Sequence, residues 1–235
     1  FSFGAEFLRG TWAQNLILAL TIFTIVFGCS RALKETHLKR RLAWSTVSNL
    51  SYILFGIALM TPLGLAGAFS HMLCHALMKI CSFFCAGAVI YKTGRTYIHQ
   101  LDGLGRKMPK TFVIFTVASM ALMGVPGLCG FVSKWNLAKG AAAAGNPLAY
   151  AGLGAILVSA LLTAIYMLTI VVRAFFPGKD FDYESIADVR DPNWRMMLPL
   201  CVFAVMMFVI GLHPQLLTEA VDGVVAAVFQ AASGV

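Results

Sequence analysis

Six apolar blocks of roughly 20 residues each dominate this chain of 235 residues, and short polar segments separate them. An α-helix rises about 1.5 Å per residue, so about 20 apolar residues cross roughly 30 Å of hydrocarbon. Hydrophobic residues make up 59% of the sequence and charged residues only 12%, well below the charged share of a soluble domain. The sequence therefore predicts an all-α integral membrane protein with about six transmembrane helices.

The apolar runs place these predicted spans along the chain. They cover about residues 11–33, 42–60, 69–91, a fourth stretch that starts near 111, 147–176 and 196–212. We expect residues 1–235 to form a single transmembrane domain and the less apolar segment 214–235 to lie along the membrane surface. Because the chain begins with Phe and no signal peptide is visible, we also expect it to be part of something longer.

The fourth span contains the segment GVPGLCG, which interrupts an otherwise apolar run. Proline removes a backbone hydrogen bond and glycine relaxes the chain, so a break in the helix is expected here. The residues that predict it are Gly124, Pro126, Gly127 and Gly130.

Lysine and arginine are distributed unequally between the two ends of the predicted spans. Fourteen of the 18 fall in three alternate loops, 31–41, 92–110 and 173–195, whereas the opposite side holds only Arg9 and Lys139. The positive-inside rule then predicts that the three loops are cytoplasmic and that both termini face outward. The net charge of +8 thus marks orientation and requires no nucleic-acid partner. Two lysines remain, and both fall inside spans.

The first of them, Lys79, belongs to a titratable stripe on the third span. His71, His75 and Lys79 recur at i, i+4 and i+8, within about 80° of one helix face, and Ser82 shares this sector. An unpaired lysine at the bilayer centre costs roughly 2.5–3.5 kcal/mol, so such residues usually mark ion or proton pathways. Each histidine alone could be an ordinary interior residue. Cys74 between them leaves a metal or haem site as an alternative, but no second ligand cluster accompanies it, and we predict no metal and no cofactor.

The second lysine, Lys134, follows the predicted break in the segment GFVSKW, next to Ser133. An interrupted helix exposes backbone groups that can hold water or an ion at mid-membrane depth. The alternative is a lysine that snorkels to the outer surface, as we expect for Lys139. A lysine directly after a helix break favours a pathway residue.

Polar side chains also follow one face of the second span, about 100° wide. They are Ser45, Ser48, Asn49 and Tyr52, and Lys39 precedes them at the cytoplasmic end. Such a face could carry a water chain with Lys39 at its mouth. Ordinary hydrogen bonding between helices explains it equally well.

Three segments together resemble a known family: LKRRLAWSTVSNLSY, HMLCHALMKICSFFCAG and MALMGVPGLCGFVSKW. In this order they are similar to the antiporter-like subunits shared by respiratory complex I, Mrp-type cation/proton antiporters and membrane-bound hydrogenases. The resemblance implies the C-terminal part of a fourteen-helix subunit, namely its second inverted repeat plus the last helix. GFVSKW with the HxxxHxxxK stripe resembles Mrp-type and hydrogenase-associated members, or the distal complex I subunit, more than members with glutamate at the break.

This resemblance implies roles for single residues. Lys134 matches the titratable residue of the family's broken twelfth helix, the stripe from His71 to Lys79 matches that of the eleventh, and Lys39 matches the lysine that opens the tenth. The family's first-repeat glutamate and its two partner lysines have no counterpart here, so we expect the pathway to be incomplete within these residues.

The implied function is translocation of protons, or of sodium ions coupled to them, within a multi-subunit membrane complex. The implied partners are those ions, other membrane subunits and the lipid bilayer. No nucleotide, flavin, quinone or iron–sulfur motif is present, so any redox chemistry is expected in a partner. The alternative function is a non-transporting membrane anchor for a peripheral redox enzyme, for which the two lysines would be dispensable.

Overall fold

The computed structural model describes residues 8–178 and 181–233. Lys179 of the third basic loop and the last two residues of the 214–235 segment lie outside the described residues. The described part consists of α-helices joined by loops and two short 3-10 helices. The α-helices are α1 (Trp12–Lys34), α2 (Leu38–Ala58), α3 (Pro62–Thr93), α4 (Leu104–Lys107), α5 (Pro109–Met123), α6 (Cys129–Ala143), α7 (Pro147–Phe175), α8 (Trp194–Leu212) and α9 (Gln215–Ser233). The all-α prediction is confirmed.

Four of these helices, α1, α3, α7 and α8, are long and apolar enough to cross a membrane by themselves. The second predicted span forms α2, which has 21 residues and carries the polar face described above. The fourth predicted span is divided into α5 and α6, each of 15 residues, on either side of the predicted break.

The third span begins earlier than the sequence predicted, at Pro62 rather than near residue 69. The Thr61 side chain accepts a hydrogen bond from the Gly64 backbone N–H at 3.0 Å, which satisfies a free donor at the helix start. Pro62 occupies the first helical position, where its missing N–H has no cost. The 32-residue α3 packs against α2, α5, α6, α8 and α9 and is the central helix of the bundle.

Helices α2, α3 and α6 pack closely at Gly56, Gly64 and Gly140, which have no side chains to keep the helices apart. A Cβ atom at Gly64 would lie 2.7 Å from the Gly56 carbonyl oxygen, and one at Gly140 would lie 2.9 Å from the Gly64 Cα. Small residues let membrane helices approach closely. This contact fixes the two polar helices α2 and α6 against α3.

The break between α5 and α6 depends on two glycines with left-handed backbone conformations. Gly124 has φ +92° and Gly127 has φ +87°, values that side chains with a Cβ rarely adopt. Gly211 near the end of α8 packs against the backbone of Gly127 and Leu128. The break is thus held from outside by another helix.

Helix α9 occupies most of the segment predicted to lie along the membrane surface. Its Leu217, Val221 and Val225 are buried and join the main apolar core. These residues anchor one face of α9 on the bundle, and the orientation of α9 relative to a membrane stays a prediction.

The third basic loop is attached to the start of the broken helix by Asp191. Its carboxylate accepts hydrogen bonds from the backbone N–H of Thr111 at 3.0 Å, from the Thr111 hydroxyl at 2.8 Å and from the Lys110 N–H at 3.2 Å. These backbone N–H groups belong to the first turn of α5, where no carbonyl of the same helix can accept their hydrogen bonds.

We expect Asp191→Ala to destabilise the folded chain by about 1 kcal/mol, the usual cost of removing a carboxylate cap. Thermal unfolding in detergent measures the loss. Asp188→Ala is the matched control, because Asp188 is an exposed aspartate of the same loop. Equal midpoints for the two variants would contradict the capping role.

Candidate functional site

Lys134 lies on α6 with its amine folded back into the break. Its side chain is 8% exposed, and Nζ donates to the carbonyl oxygens of Leu122 at 2.6 Å and Met123 at 3.1 Å. These carbonyls end α5, where no further turn of helix provides N–H groups for them. The break therefore supplies the acceptors that hold the buried ammonium group.

Lys79 is buried in the middle of α3 and is 5% exposed. Its Nζ donates to the backbone carbonyl of Leu42 on α2 at 3.0 Å. Among the described residues, no carboxylate lies within 4.0 Å of either buried lysine. The salt bridge found in this part of the chain joins Arg173 and Asp102, away from both lysines. Both intramembrane cations are thus held by neutral backbone groups.

Ring contacts join the two histidines to each other and to Tyr52. The His71 and His75 rings stack with centroids 5.9 Å apart, and the Tyr52 ring lies 5.1 Å from that of His71. His71 Nδ1 is hydrogen-bonded to the Ser133 hydroxyl at 3.0 Å, and Lys134 Nζ lies 5.7 Å from the centre of the Tyr52 ring. Tyr52, His71 and Lys134 therefore meet at one point between α2, α3 and α6.

Several polar atoms in this interior have no hydrogen-bond partner among the described residues. They are Asn49 Oδ1, His71 Nε2 and His75 Nδ1, and the further atom of this kind, His37 Nδ1, lies at the start of α2. Buried polar groups are almost always satisfied, and an exception indicates water, an ion or a functional site. The unsatisfied atoms follow the line of titratable residues, which favours a hydrated path.

The remaining predicted residues divide into buried and exposed ones. Ser45, Ser48, Asn49, Tyr52, Ser82 and Ser133 are all buried. Ser82 donates within its own helix to the Met78 carbonyl at 2.7 Å. Lys39, by contrast, is exposed on the first turn of α2 and is not brought to the site.

The buried cation at this end of α2 is Arg41, which the sequence reasoning assigned only to orientation. It is 6% exposed. Its guanidinium donates to the carbonyls of Glu35 at 2.9 Å, Tyr166 at 3.0 Å and Leu33 at 3.4 Å. Arg41 therefore joins α2 to backbone carbonyls of α1 and α7, next to the basic loop 31–41.

A second group missed by the sequence reasoning lies on α7. Ser159, Thr163 and Tyr166 are buried and face the polar side of α2. The Tyr166 hydroxyl donates to Ser45 Oγ at 2.7 Å, and the Ser48 and Ser159 hydroxyls are 3.1 Å apart. The spacing i, i+4, i+7 in an otherwise apolar span was the signal that could have identified them.

An open cavity of about 500 Å³ borders Lys134, and neither His71 nor His75 lines it. It lies between α6 and α7, and mainly apolar side chains line it, among them Trp135, Leu153 and Leu157. Lys134 thus lies between the polar interior and an apolar surface.

A multi-pass helical bundle with one broken helix, a buried lysine at the break and a buried His–His–Lys stripe on the neighbouring helix is characteristic of the antiporter-like class of membrane subunits. The chain belongs to the NADH:quinone oxidoreductase/Mrp antiporter transmembrane family, whose sequence pattern matches residues 2–163. The predicted family and the multi-pass membrane location are confirmed.

Proteins with similar sequences include chains of NAD(P)H-quinone oxidoreductases. The chain is 36% identical over 214 residues to NAD(P)H-quinone oxidoreductase chain 4 1 of Picosynechococcus sp., covering 88% of this chain and 39% of that protein. It is 34% identical over 219 residues to the protein of the same name in Synechococcus sp. strain JA-3-3Ab, covering 91% and 41%. The chain thus spans about two fifths of the length of these relatives.

Solved structures share the fold. A chain of the Mrp complex from Dietzia sp. superposes with a TM-score of 0.81 at 24% identity, covering 97% of this chain and 49% of the other. A chain of respiratory complex I from Thermus thermophilus gives 0.79 at 22% identity, covering 94% and 45%. A chain of the membrane-bound sulfane sulfur reductase, an archaeal respiratory membrane complex, gives 0.75 at 29% identity, covering 84% and 32%.

Proposed function

We propose that this chain forms part of a proton-translocating membrane subunit of a complex I-like, Mrp-like or related respiratory complex, and that Lys134 and Lys79 carry the proton. The observation that carries the proposal is the burial of two lysines, hydrogen-bonded to backbone carbonyls and to no carboxylate of the described residues, beside two histidines with unsatisfied ring nitrogens. A stable fold gains nothing from such groups, because each desolvated charge destabilises it.

The proposed path runs from Lys134 along the stripe of His71, His75 and Lys79, in the order in which these residues follow the contact between Lys134, Tyr52 and His71. An imidazole can accept a proton on one ring nitrogen and release one from the other, and a proton on one buried site makes its neighbours release theirs more readily. Mutual repulsion between the two lysines would therefore drive release. The Tyr52 ring and Ser133 position His71 and Lys134 relative to each other.

The chemistry of the lining favours protons over sodium ions as the transported species. A dehydrated metal cation needs a shell of oxygen ligands, best with carboxylates among them. The titratable groups beside the two lysines are the imidazoles of His71 and His75 and the Tyr52 hydroxyl, no carboxylate of the described residues lies within 4.0 Å of either amine, and the lysine charges repel a cation. These groups exchange protons without binding a metal ion.

The burial of both lysines is also the observation that separates transport from the anchor alternative. In an anchor the lysines are dispensable and would be expected to reach lipid headgroups. Lys139, on the same helix as Lys134, is exposed, whereas Lys134 and Lys79 are buried. This contrast supports translocation.

The transported ion is tested with the complete native complex that contains this chain, reconstituted into liposomes with a pH-sensitive dye inside. We expect the driving reaction to change the internal pH at the same rate in sodium-free and sodium-containing buffer. A change in internal pH that requires sodium would contradict a proton path, and unchanged internal pH with an active driving reaction would favour the anchor.

We further infer that the basic loops 31–41, 92–110 and 173–195 are cytoplasmic and that both termini face outward, in accordance with the charge distribution. A cysteine replacing Lys92 at the end of α3 should react with a membrane-impermeant thiol reagent only from the cytoplasmic side. A cysteine replacing Ala143 at the end of α6 should react only from the outside. The same side for both cysteines would contradict this topology.

A further inference from the structure

An open groove of about 360 Å³ lies between α3 and α8, near the basic loops that follow α3 and precede α8. Gly87 lines it from α3 and Pro199 lines it from α8. No atom of the described residues lies within 4 Å of the position that a Gly87 Cβ would take. A volume of this size is within the range of small-molecule sites in proteins. The missing side chain at Gly87 therefore leaves room for a ligand.

The groove runs along both helices from the basic loops into the apolar part of the bundle. Arg195, Pro199 and Phe203 recur at i, i+4 and i+8, which places them on one face of α8. Arg195 is at the start of α8, beside the basic loop, and Phe203 lies two turns further in. The Phe203 ring makes an edge contact with the Phe84 ring of α3, with centroids 6.2 Å apart. This contact bridges the two helices at the inner end of the groove.

The charge of the groove is confined to its outer end. Among the described residues that line it, Arg195 is charged and the others are apolar. The Arg195 guanidinium lies 5.9 Å from the centre of the Trp194 ring, and no carboxylate of the described residues lies within 4.0 Å of it. An exposed guanidinium with no acidic partner can bind a phosphate group through two parallel hydrogen bonds.

Two exposed aromatic side chains mark the depth of this outer end in a membrane. Trp194 at the start of α8 is 70% exposed, and Tyr91 near the end of α3 is 75% exposed. Tryptophan and tyrosine are enriched at the level of the lipid headgroups, where their rings contact both water and hydrocarbon. The outer end of the groove therefore lies at headgroup level, and its apolar remainder extends into the hydrocarbon.

We propose that this groove binds one anionic phospholipid, with the phosphate at Arg195 and an acyl chain over Gly87 toward the contact of Phe84 with Phe203. A groove with one cationic end and an apolar remainder is complementary to an amphiphile, whereas a free phosphate ion would leave its apolar walls uncovered. Basic pockets between transmembrane helices are a known kind of site for anionic headgroups. This inference concerns lipid binding and is independent of the proposed function.

The site is tested in the native complex that contains this chain, reconstituted into nanodiscs with phosphatidylglycerol that carries a photoreactive diazirine in its acyl chain. Peptide mass spectrometry after illumination locates the label, which we expect within residues 83–88 and 196–200. Excess unlabelled phosphatidylglycerol should displace the probe about fivefold better than phosphatidylcholine, which is the usual effect of one basic side chain on an anionic lipid.

Arg195→Gln removes the proposed headgroup contact, and we expect it to lower the labelling of both segments about fivefold. Arg190→Gln is the matched control, because Arg190 is an exposed arginine of the preceding loop that does not line the groove. It should change labelling by less than about twofold, since its charge acts only through screened electrostatics.

Gly87→Leu tests the position of the acyl chain, because the added side chain fills the space over Gly87. We expect it to remove most of the label from both segments. Gly154→Leu is its control, since Gly154 lies on α7 with no atom of the described residues within 4 Å of its Cβ position and does not line the groove. Thermal unfolding of the same samples shows that each variant is folded.

Three outcomes would overturn the lipid site. Equal displacement by the two unlabelled lipids, or equal labelling in Arg195→Gln and Arg190→Gln, would show that the groove does not select an anionic headgroup. Equal labelling in Gly87→Leu and Gly154→Leu would place the acyl chain elsewhere. The absence of label from both segments in the unmodified complex would show that a protein segment, rather than a lipid, covers the groove.

Discussion

Replacing Lys134 by glutamine is expected to lower proton translocation by about 100-fold or more, the usual cost of removing a group that donates and accepts a proton. Glutamine retains an amide that can donate to the carbonyls of Leu122 and Met123, as Nζ does. The break therefore keeps a hydrogen-bonding partner while the site loses its titratable group. Proton flux into liposomes that contain the intact complex measures the effect.

Lys139→Gln is the matched control, because it removes the same charge from the exposed side of the same helix. We expect it to change flux by less than about twofold, since the charge of an exposed side chain acts on the path only through screened electrostatics. Equal effects of the two substitutions would indicate that net charge, rather than the buried amine, governs transport.

The largest effect on stability is expected from Gly130→Ala at the start of α6. A Cβ atom here would overlap the Ala121 carbonyl oxygen and lie 3.0 Å from the Met78 sulfur. The carbonyl belongs to the end of α5 and cannot move without shifting the break. We expect a loss of about 3 kcal/mol, at the upper end of what overpacking costs, seen as a lower thermal midpoint in detergent.

Gly87→Ala provides the comparison for this substitution. Gly87 lies within α3, and no atom of the described residues lies within 4 Å of the position its Cβ would take. Alanine there should leave stability unchanged or raise it slightly, because it favours a helix more than glycine does. A Gly130→Ala variant as stable as Gly87→Ala would contradict the close packing at the break.

The parts of the site that were predictable from sequence are those that follow from local spacing. The i, i+4, i+8 pattern placed His71, His75 and Lys79 on one buried face of α3, and Pro126 with its neighbouring glycines located the break. Such features depend only on helix geometry and on the conformations open to each residue.

The parts that were missed depend on which helices become neighbours. Asp191 caps α5 across about 80 residues of sequence, and Tyr166 bonds to Ser45 from 121 residues away. Arg41 had the appearance of an orientation signal because nothing local indicates that carbonyls from α1 and α7 surround it. The single sequence contains no pairing information of this kind, so these contacts required the structure.

The central claim is that Lys134 and Lys79 act in series on one proton path, and a double-mutant cycle tests it most directly. Proton flux is measured for Lys134→Gln, Lys79→Gln and the double variant in the reconstituted complex. Two steps of one path give strongly non-additive effects, so we expect the double variant to be no slower than the slower single variant. Multiplied effects of the two substitutions, or unchanged flux in either single variant, would contradict the account.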